Sequence, residues 1–283
     1  MTKANIYQIH YDEQTRRLVD PGFLPLDNND NARPDWREYW PMRNFLLNNV
    51  INGDELYGFF SPVFRHKTNL SAGQVYAFID AHPGHDVYSL SPLRQDSLCY
   101  LNVFEHGNRY HPGLIDITNE FLAALDIQVD FTRLVMDLRS TIFCNYFVAK
   151  PTFWAQWFAL TEQLFALAED RNSSLGRKID AFTDYRQKSP LNMKVFIVER
   201  LASLVLALDT SIKTVAYDIE LMPWSNPAYI PCWNDMMTCN ALKLAFIETR
   251  HQRYFVNFFA LRNRILQQCE PLRDDERTKQ HFF

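Results

Sequence analysis

Glycine is scarce in this chain, 8 residues in 283, and neither GxGxxG nor GxxxxGK[ST] occurs. A phosphate cradled on a glycine-rich loop is therefore not expected. Five cysteines are present, Cys99, Cys144, Cys232, Cys239 and Cys269, with no CxxC spacing. An odd count without paired spacings fits reduced thiols better than a disulfide framework. No apolar run approaches the roughly 18 residues that span a bilayer. The opening "MTKANIYQIHYDEQ" shows no apolar segment after its lysine, so no secretory leader is expected and the sequons at Asn69 and Asn172 carry no weight. Excess positive charge is also missing: the net charge is −4, which argues against a general nucleic-acid binder. HExxH, a nucleophile elbow and kinase signatures are absent too.

Apolar and aromatic residues are plentiful instead. The chain is 47% hydrophobic with 22% charged residues, the composition of a folded globular protein. "NIYQIHY", "ELYGFFSP" and "HDVYSLSP" read as strands. Between them, "DWREYWPMRNFLLNNV" and "SAGQVYAFIDAH" read as helices, the second with Ser71 as N-cap and the first starting near Pro41. Residues 12–35 read as a long polar loop and residues 136–147 as an extended segment. Such alternation predicts an α/β fold with a mostly parallel sheet. Ligands of open α/β sheets bind beyond the carboxyl ends of the strands. That rule gathers "HYDEQT", "FFSPVFRHKT" and "SLSPLRQD", and with them Tyr11, Ser61, Arg65 and Lys67, around one crevice.

Further along, "YFVAKPTFWAQWFALTEQLF" reads as a short extended piece entering a helix at Pro151. A polar spacer and the apolar helix "NMKVFIVERLASLVLAL" follow. These segments, with the early "LYGFFSPVFRHKT", resemble bacterial glycosyltransferase-type proteins of capsule and O-antigen gene clusters. The resemblance spans about residues 5 to 216, roughly three quarters of the chain. It implies a GT-A, Rossmann-type sheet flanked by helices with a C-terminal helical extension. Residues 1–225 would form the nucleotide-sugar-binding catalytic domain, and 226–283 a loop and long helix packed on it. It also implies a nucleoside-diphosphate sugar donor and a glycan or lipid-linked glycan acceptor. The setting would be surface polysaccharide synthesis in the cytoplasm, at the inner face of the cytoplasmic membrane. A non-catalytic relative serving as a binding or assembly module is the alternative.

One departure from the GT-A pattern is the missing Asp-x-Asp, the pair that holds Mn²⁺ or Mg²⁺ against the donor pyrophosphate. Asp80, His82, His85 and Asp86 supply metal-ligating types in a turn, and the plainer reading there is a solvated loop. Without a metal the pyrophosphate must be neutralised by cations, for which Arg65, Lys67, Arg139 and Lys150 are candidates, with Arg200 a further donor-binding residue.

Several polar groups then ask for a role. Glu199, beside Arg200 on a mostly apolar helix, needs a partner or its pKa rises, which makes it a candidate general base; the plainer reading is a buried ion pair. Glu105, His106, Arg109 and His111 fall in a segment that reads as turn-rich, as expected of acceptor-binding groups, with Glu105 a second candidate base. Asp137, a third, and Arg139 lie two apart and would share one face of a strand. Asn145 and Lys150 interrupt an aromatic run and would face the crevice, unless Lys150 simply marks the turn before Pro151. The C-terminal stretch from about 240 to 268 reads as one long helix. It carries Lys243, Arg250, Arg253, Arg262 and Arg264 with many aromatics, which suits either docking on an anionic membrane or packing on the domain.

Overall fold

The computed structural model describes residues 3–183, 191–224 and 226–277, with side chains up to residue 269 except Arg94. The first half runs β1 (Ala4–His10), α1 (Glu13–Arg16), β2 (Leu24–Asp27), α2 (Tyr39–Asn48), β3 (Leu56–Phe60), α3 (Phe64–Thr68), α4 (Ala72–Ala81), β4 (Val87–Ser89), α5 (Arg94–Cys99), α6 (Val103–Tyr110) and α7 (Leu114–Ala123). Then come β5 (Phe147–Ala149), α8 (Pro151–Glu169), α9 (Ser174–Ile179), β6 (Phe182–Thr183), β7 (Leu191–Asn192), α10 (Met193–Leu208), β8 (Thr214–Ala216), α11 (Trp233–Thr249) and α12 (Gln252–Arg277).

Six strands form one sheet in the order β2-β1-β3-β5-β4-β8. All neighbours are parallel except β5, which runs antiparallel to β3 and β4. The central strand "LYGFF" is buried at every position, because helices cover both faces and a strand so placed must be apolar throughout. Gly58 sits at the β3–β5 contact, where a Cβ would lie 2.8 Å from Val148 Cγ2. One face of the sheet packs against α2, α8 and α10 through Phe59, Trp154, Trp157 and Leu201. The other packs against α3 and α4 through Phe60, Phe64 and Val75. A third apolar cluster joins α5 to α11 and α12 through Leu98, Met236, Phe258 and Ile265.

Local rules place the ends. Ser71 and Gln74 close a capping box on α4, and Pro151 occupies the first turn of α8, where its missing N–H costs nothing. Helix α2 starts at Tyr39, ahead of Pro41, for the same reason.

Four expectations fail locally. The polar loop after β1 contains α1 and the edge strand β2, whose exposed residues and Pro25 hide it from a burial pattern. Residues 136–147 are not extended: Asp137 turns the chain by accepting hydrogen bonds from the N–H groups of Arg139 (2.9 Å) and Ser140 (3.1 Å). The segment 102–113 is largely the helix α6, started by Asn102, whose side chain accepts from the N–H of Phe104 and Glu105. The single C-terminal helix is two, because α11 ends at Arg250 in the left-handed conformation with φ 56°.

Candidate functional site

The carboxyl edge of the parallel strands carries the cleft. Strand β3 delivers Ser61 there, and α3 follows with Lys67 one turn on. Because β5 is antiparallel, its approach, Cys144 to Tyr146, enters the sheet at this same edge. Helix α10 crosses above with Glu199, and the turn that opens α2 adds Arg37, Glu38 and Tyr39. Together they line a cleft of about 380 Å³, counting the space at its open mouth.

Its polar groups are held in place. The hydroxyls of Ser61 and Tyr146 share a hydrogen bond. Lys67 Nζ lies 3.4 Å from Cys144 Sγ and 5.9 Å from the centre of the Tyr146 ring. Asn145 is 4% exposed, and its Oδ1 has no hydrogen-bond partner among the described residues. A buried acceptor left bare costs about 1–3 kcal/mol unless water or a ligand supplies a donor. Three lining residues, Arg37, Cys144 and Asn145, hold positive φ values of 50°, 61° and 53°. Non-glycine residues adopt such angles at a cost, and they gather where a structure must aim groups at a ligand.

The electrostatics follow from enclosure. Burial raises the pKa of Glu199; Arg200 and Lys67 oppose this, and the charge of Glu38 adds to it. A third of the Glu199 side chain still meets solvent, through the cleft. Burial likewise pushes the Cys144 thiol up, so it faces Lys67 as a neutral group. Tyr11, raised by burial and then by the charge of Glu38, borders the same group of side chains.

Of the residues expected from sequence, Ser61, Lys67, Asn145 and Glu199 therefore converge, and Tyr11 lies beside them through Glu38. The others are placed elsewhere. Asp137 is taken by its own turn and by the Arg139 guanidinium, at 2.8 Å from Nε. Glu105 accepts from the N–H of Leu101 and from Arg262, both at 2.6 Å, and so ties α6 to α12. His106 is buried 3.3 Å from Asp96, and His111 stacks on Phe196 with ring centres 3.5 Å apart. Arg109 is exposed in the last turn of α6, and Arg65 is exposed on α3. Arg200 is buried and donates to the carbonyls of Val103 (2.9 Å) and Phe196 (2.6 Å). Its path needs Gly107, where a Cβ would meet Arg200 Nε at 2.3 Å.

Lys150 corrects the expectation most directly. It lies past the far end of β5, at the amino edge of the parallel strands, and donates to Asp86 at 2.8 Å. Asp86 also accepts from the Lys213 N–H, while His82 and His85 bond backbone carbonyls. No group of three or more His, Cys, Asp or Glu side chains among the described residues is arranged to hold a metal. On the C-terminal helices, Phe246, Phe258, Leu261 and Ile265 are buried, while Tyr254 and Val256 stay exposed. No described helix is long and apolar enough to cross a membrane.

Arg37 and Glu38 were not expected. They sit in "WREYW", whose spacing reads as a helix face, whereas Arg37 interrupts the helix with a positive φ just before α2. No family model, curated protein or solved structure matches this chain.

Proposed function

We propose that this chain is a glycosyltransferase that moves a sugar from a nucleoside diphosphate to a saccharide acceptor in surface polysaccharide synthesis, with Glu199 as the base. One observation carries the reading. Four residues from separate elements, Ser61, Lys67, Asn145 and Glu199, meet in one cleft at the sheet edge where α/β folds take ligands. The resemblance to capsule and O-antigen glycosyltransferases and the mostly parallel sheet support a GT-A assignment.

In this reading Glu199 accepts the acceptor's hydroxyl proton as its oxygen bonds to the anomeric carbon. The bond from that carbon to the diphosphate breaks, and the nucleoside diphosphate leaves. A carboxylate whose pKa is raised by enclosure is better matched to that proton than a solvated one. Ser61, Tyr146 and Asn145 offer hydroxyl and amide partners to the sugar. The cleft opens to solvent at its mouth, and in this reading the nucleoside extends along the edge toward Tyr11. The work would be done in the cytoplasm, beside a membrane that carries lipid-linked acceptors.

The test is release of nucleoside diphosphate from UDP-, GDP- and CMP-linked sugars (CMP for the monophosphate case) with a glycan acceptor. Glu199→Gln is expected to lower turnover about 100-fold or more with the unfolding midpoint unchanged. Full turnover in that variant, or no turnover of any donor by the parent chain, ends the proposal.

A further inference from the structure

We propose that Lys67 and Arg37, beside the start of α2, form a metal-free corner of the cleft that takes the phosphoryl groups of a hydroxyl-bearing ligand. The inference rests on the glycosyltransferase reading only for the identity of the ligand; the corner itself is a claim about charge and geometry.

Most cations that the fold anchors are already matched. Arg33 pairs with Asp35 and Glu169, Arg43 with Glu162, Lys150 with Asp86, and Lys194 with Asp35 and Asp180. The two cations lining the cleft are different. The hydrogen-bond partner of the Lys67 ammonium among the described residues is the sulfur of Cys144, at 3.4 Å. The Arg37 guanidinium has neither an ion pair nor a hydrogen bond among the described residues, although its backbone is held at φ 50° to place it at the mouth. Neither cation has an ion pair among the described residues; Glu199 and Glu38 act on Lys67 only through space, which leaves room for an incoming anion to lie directly against both cations.

Two further features point the same way. Helix α2, ten residues long, begins at this wall, and its N-cap Glu38 makes no side-chain capping bond. The positive end of the helix therefore adds to the field of the two cations. Independently, the bare Oδ1 of Asn145, 4% exposed, asks for a hydroxyl or N–H donor from a ligand. A bare anion supplies no such donor, whereas a sugar phosphate or nucleoside diphosphate sugar does. Glu38 and Glu199 repel phosphate, so the anion is confined to the cationic wall while the carboxylates accept the ligand's hydroxyls.

The experiment is calorimetric titration of the full chain with inorganic pyrophosphate, UDP and GDP, each in EDTA and again with Mn²⁺. Binding is expected in EDTA, with no more than a twofold gain from Mn²⁺. Lys67→Met and Arg37→Met should each weaken pyrophosphate about tenfold or more, and Lys67→Arg should recover most of the loss. Both parent residues are exposed enough that the variants should keep the parent's unfolding midpoint. Alkylation of Cys144, the half-buried cysteine, should slow when pyrophosphate is present, which locates the site. Binding abolished by EDTA, or affinity unchanged in both methionine variants, overturns the corner. Pyrophosphate binding that follows Lys67 and Arg37 while no nucleotide sugar is turned over leaves the corner standing and removes the glycosyltransferase reading. Donor turnover with KM unchanged in both variants does the reverse.

Discussion

The two ends of strand β5 carry polar groups five residues apart, and they are treated in opposite ways. At one end Lys150 meets Asp86 at 2.8 Å, and Asp86 also receives the Lys213 N–H. Burial alone would raise the Asp86 carboxyl, yet the hydrogen bonds from Lys150 and Lys213 bring it below its ordinary value. At the other end Asn145 keeps a bare buried acceptor and a positive φ, and Lys67 beside it rests on a neutral thiol. The first end is closed by the chain's own atoms. The second leaves its amide oxygen without a partner and its ammonium on a sulfur among the described residues. A polar residue in an apolar run is thus not informative by itself; whether the fold has already answered it is.

Lysines make the sharpest version of this contrast. Lys194 is 2% exposed, lies 2.6 Å from both Asp35 and Asp180, and sits over the Trp36 ring at 4.6 Å. Lys194→Met removes a buried ammonium shared by two carboxylates, of which Asp35 keeps Arg33, and should cost about 2 kcal/mol in denaturant unfolding. Lys67→Met, in the cleft, should move stability by no more than about 0.5 kcal/mol. Equal losses for the two would erase the distinction between answered and unanswered cations.

The next effect concerns pH. Burial, then the charge of Arg200, lowers the His111 pKa to about 3 from 6.5. Between those values the unfolded chain binds the proton and the folded chain does not. The stabilising contribution is therefore whole above pH 6.5 and is lost progressively as pH falls toward 3. Between pH 6 and 4 this should remove about 2 kcal/mol. His111→Phe preserves the stacking on Phe196 and should flatten that part of the stability curve. An unchanged slope in the variant would show that His111 is not held neutral, and would return it to the surface role that the sequence suggests.

How much of this was legible beforehand varies with the kind of signal. Strand β3, helix α4 and helix α8 follow from an apolar run, a capping pair and a first-turn proline, all local features. Glu199 stood out because a carboxylate within "VFIVERLASLVL" is costly unless something pairs with it; Arg200 lies 4.0 Å away and the cleft lies beside it. Glu105, Asp137, His106, His111 and Arg200 showed the same outward sign, yet their partners come from distant or unexpected positions, such as Arg262 for Glu105. Arg37 and Glu38 were hidden for a backbone reason: nothing in the order of side-chain types announces a positive φ. Strand β2 escaped notice because an exposed edge strand need not alternate.

Asn145 offers a smaller effect of opposite sign. Asn145→Gly suits φ 53° and removes the bare acceptor, against the greater unfolded-state freedom of glycine. A net gain of about 0.5 kcal/mol in stability is expected, together with weaker binding of a nucleoside diphosphate sugar. Strain retained for function behaves this way. If the variant is less stable and binds as well as the parent, the amide serves the fold and not a ligand.

The smallest expected change is at the closed end of β5, and it tests the comparison most directly. Side-chain exposures of 39% for Lys150 and 25% for Asp86 make theirs a partly solvated pair, of the kind that contributes about 0.5 kcal/mol. Lys150→Met leaves Asp86 with the Lys213 N–H, so no charge is stranded. Stability should fall by about that amount, and the loss should shrink further in high salt, since screening weakens exposed pairs. Pyrophosphate affinity should not change, because Lys150 and the cleft lie at opposite edges of the sheet. A tenfold loss of affinity in Lys150→Met would mean that the anion sits at the amino edge after all. The two ends of β5 would then exchange roles: the ion pair with Asp86 would be the resting state of a binding residue, and the bare acceptor of Asn145 an internal cost of the fold.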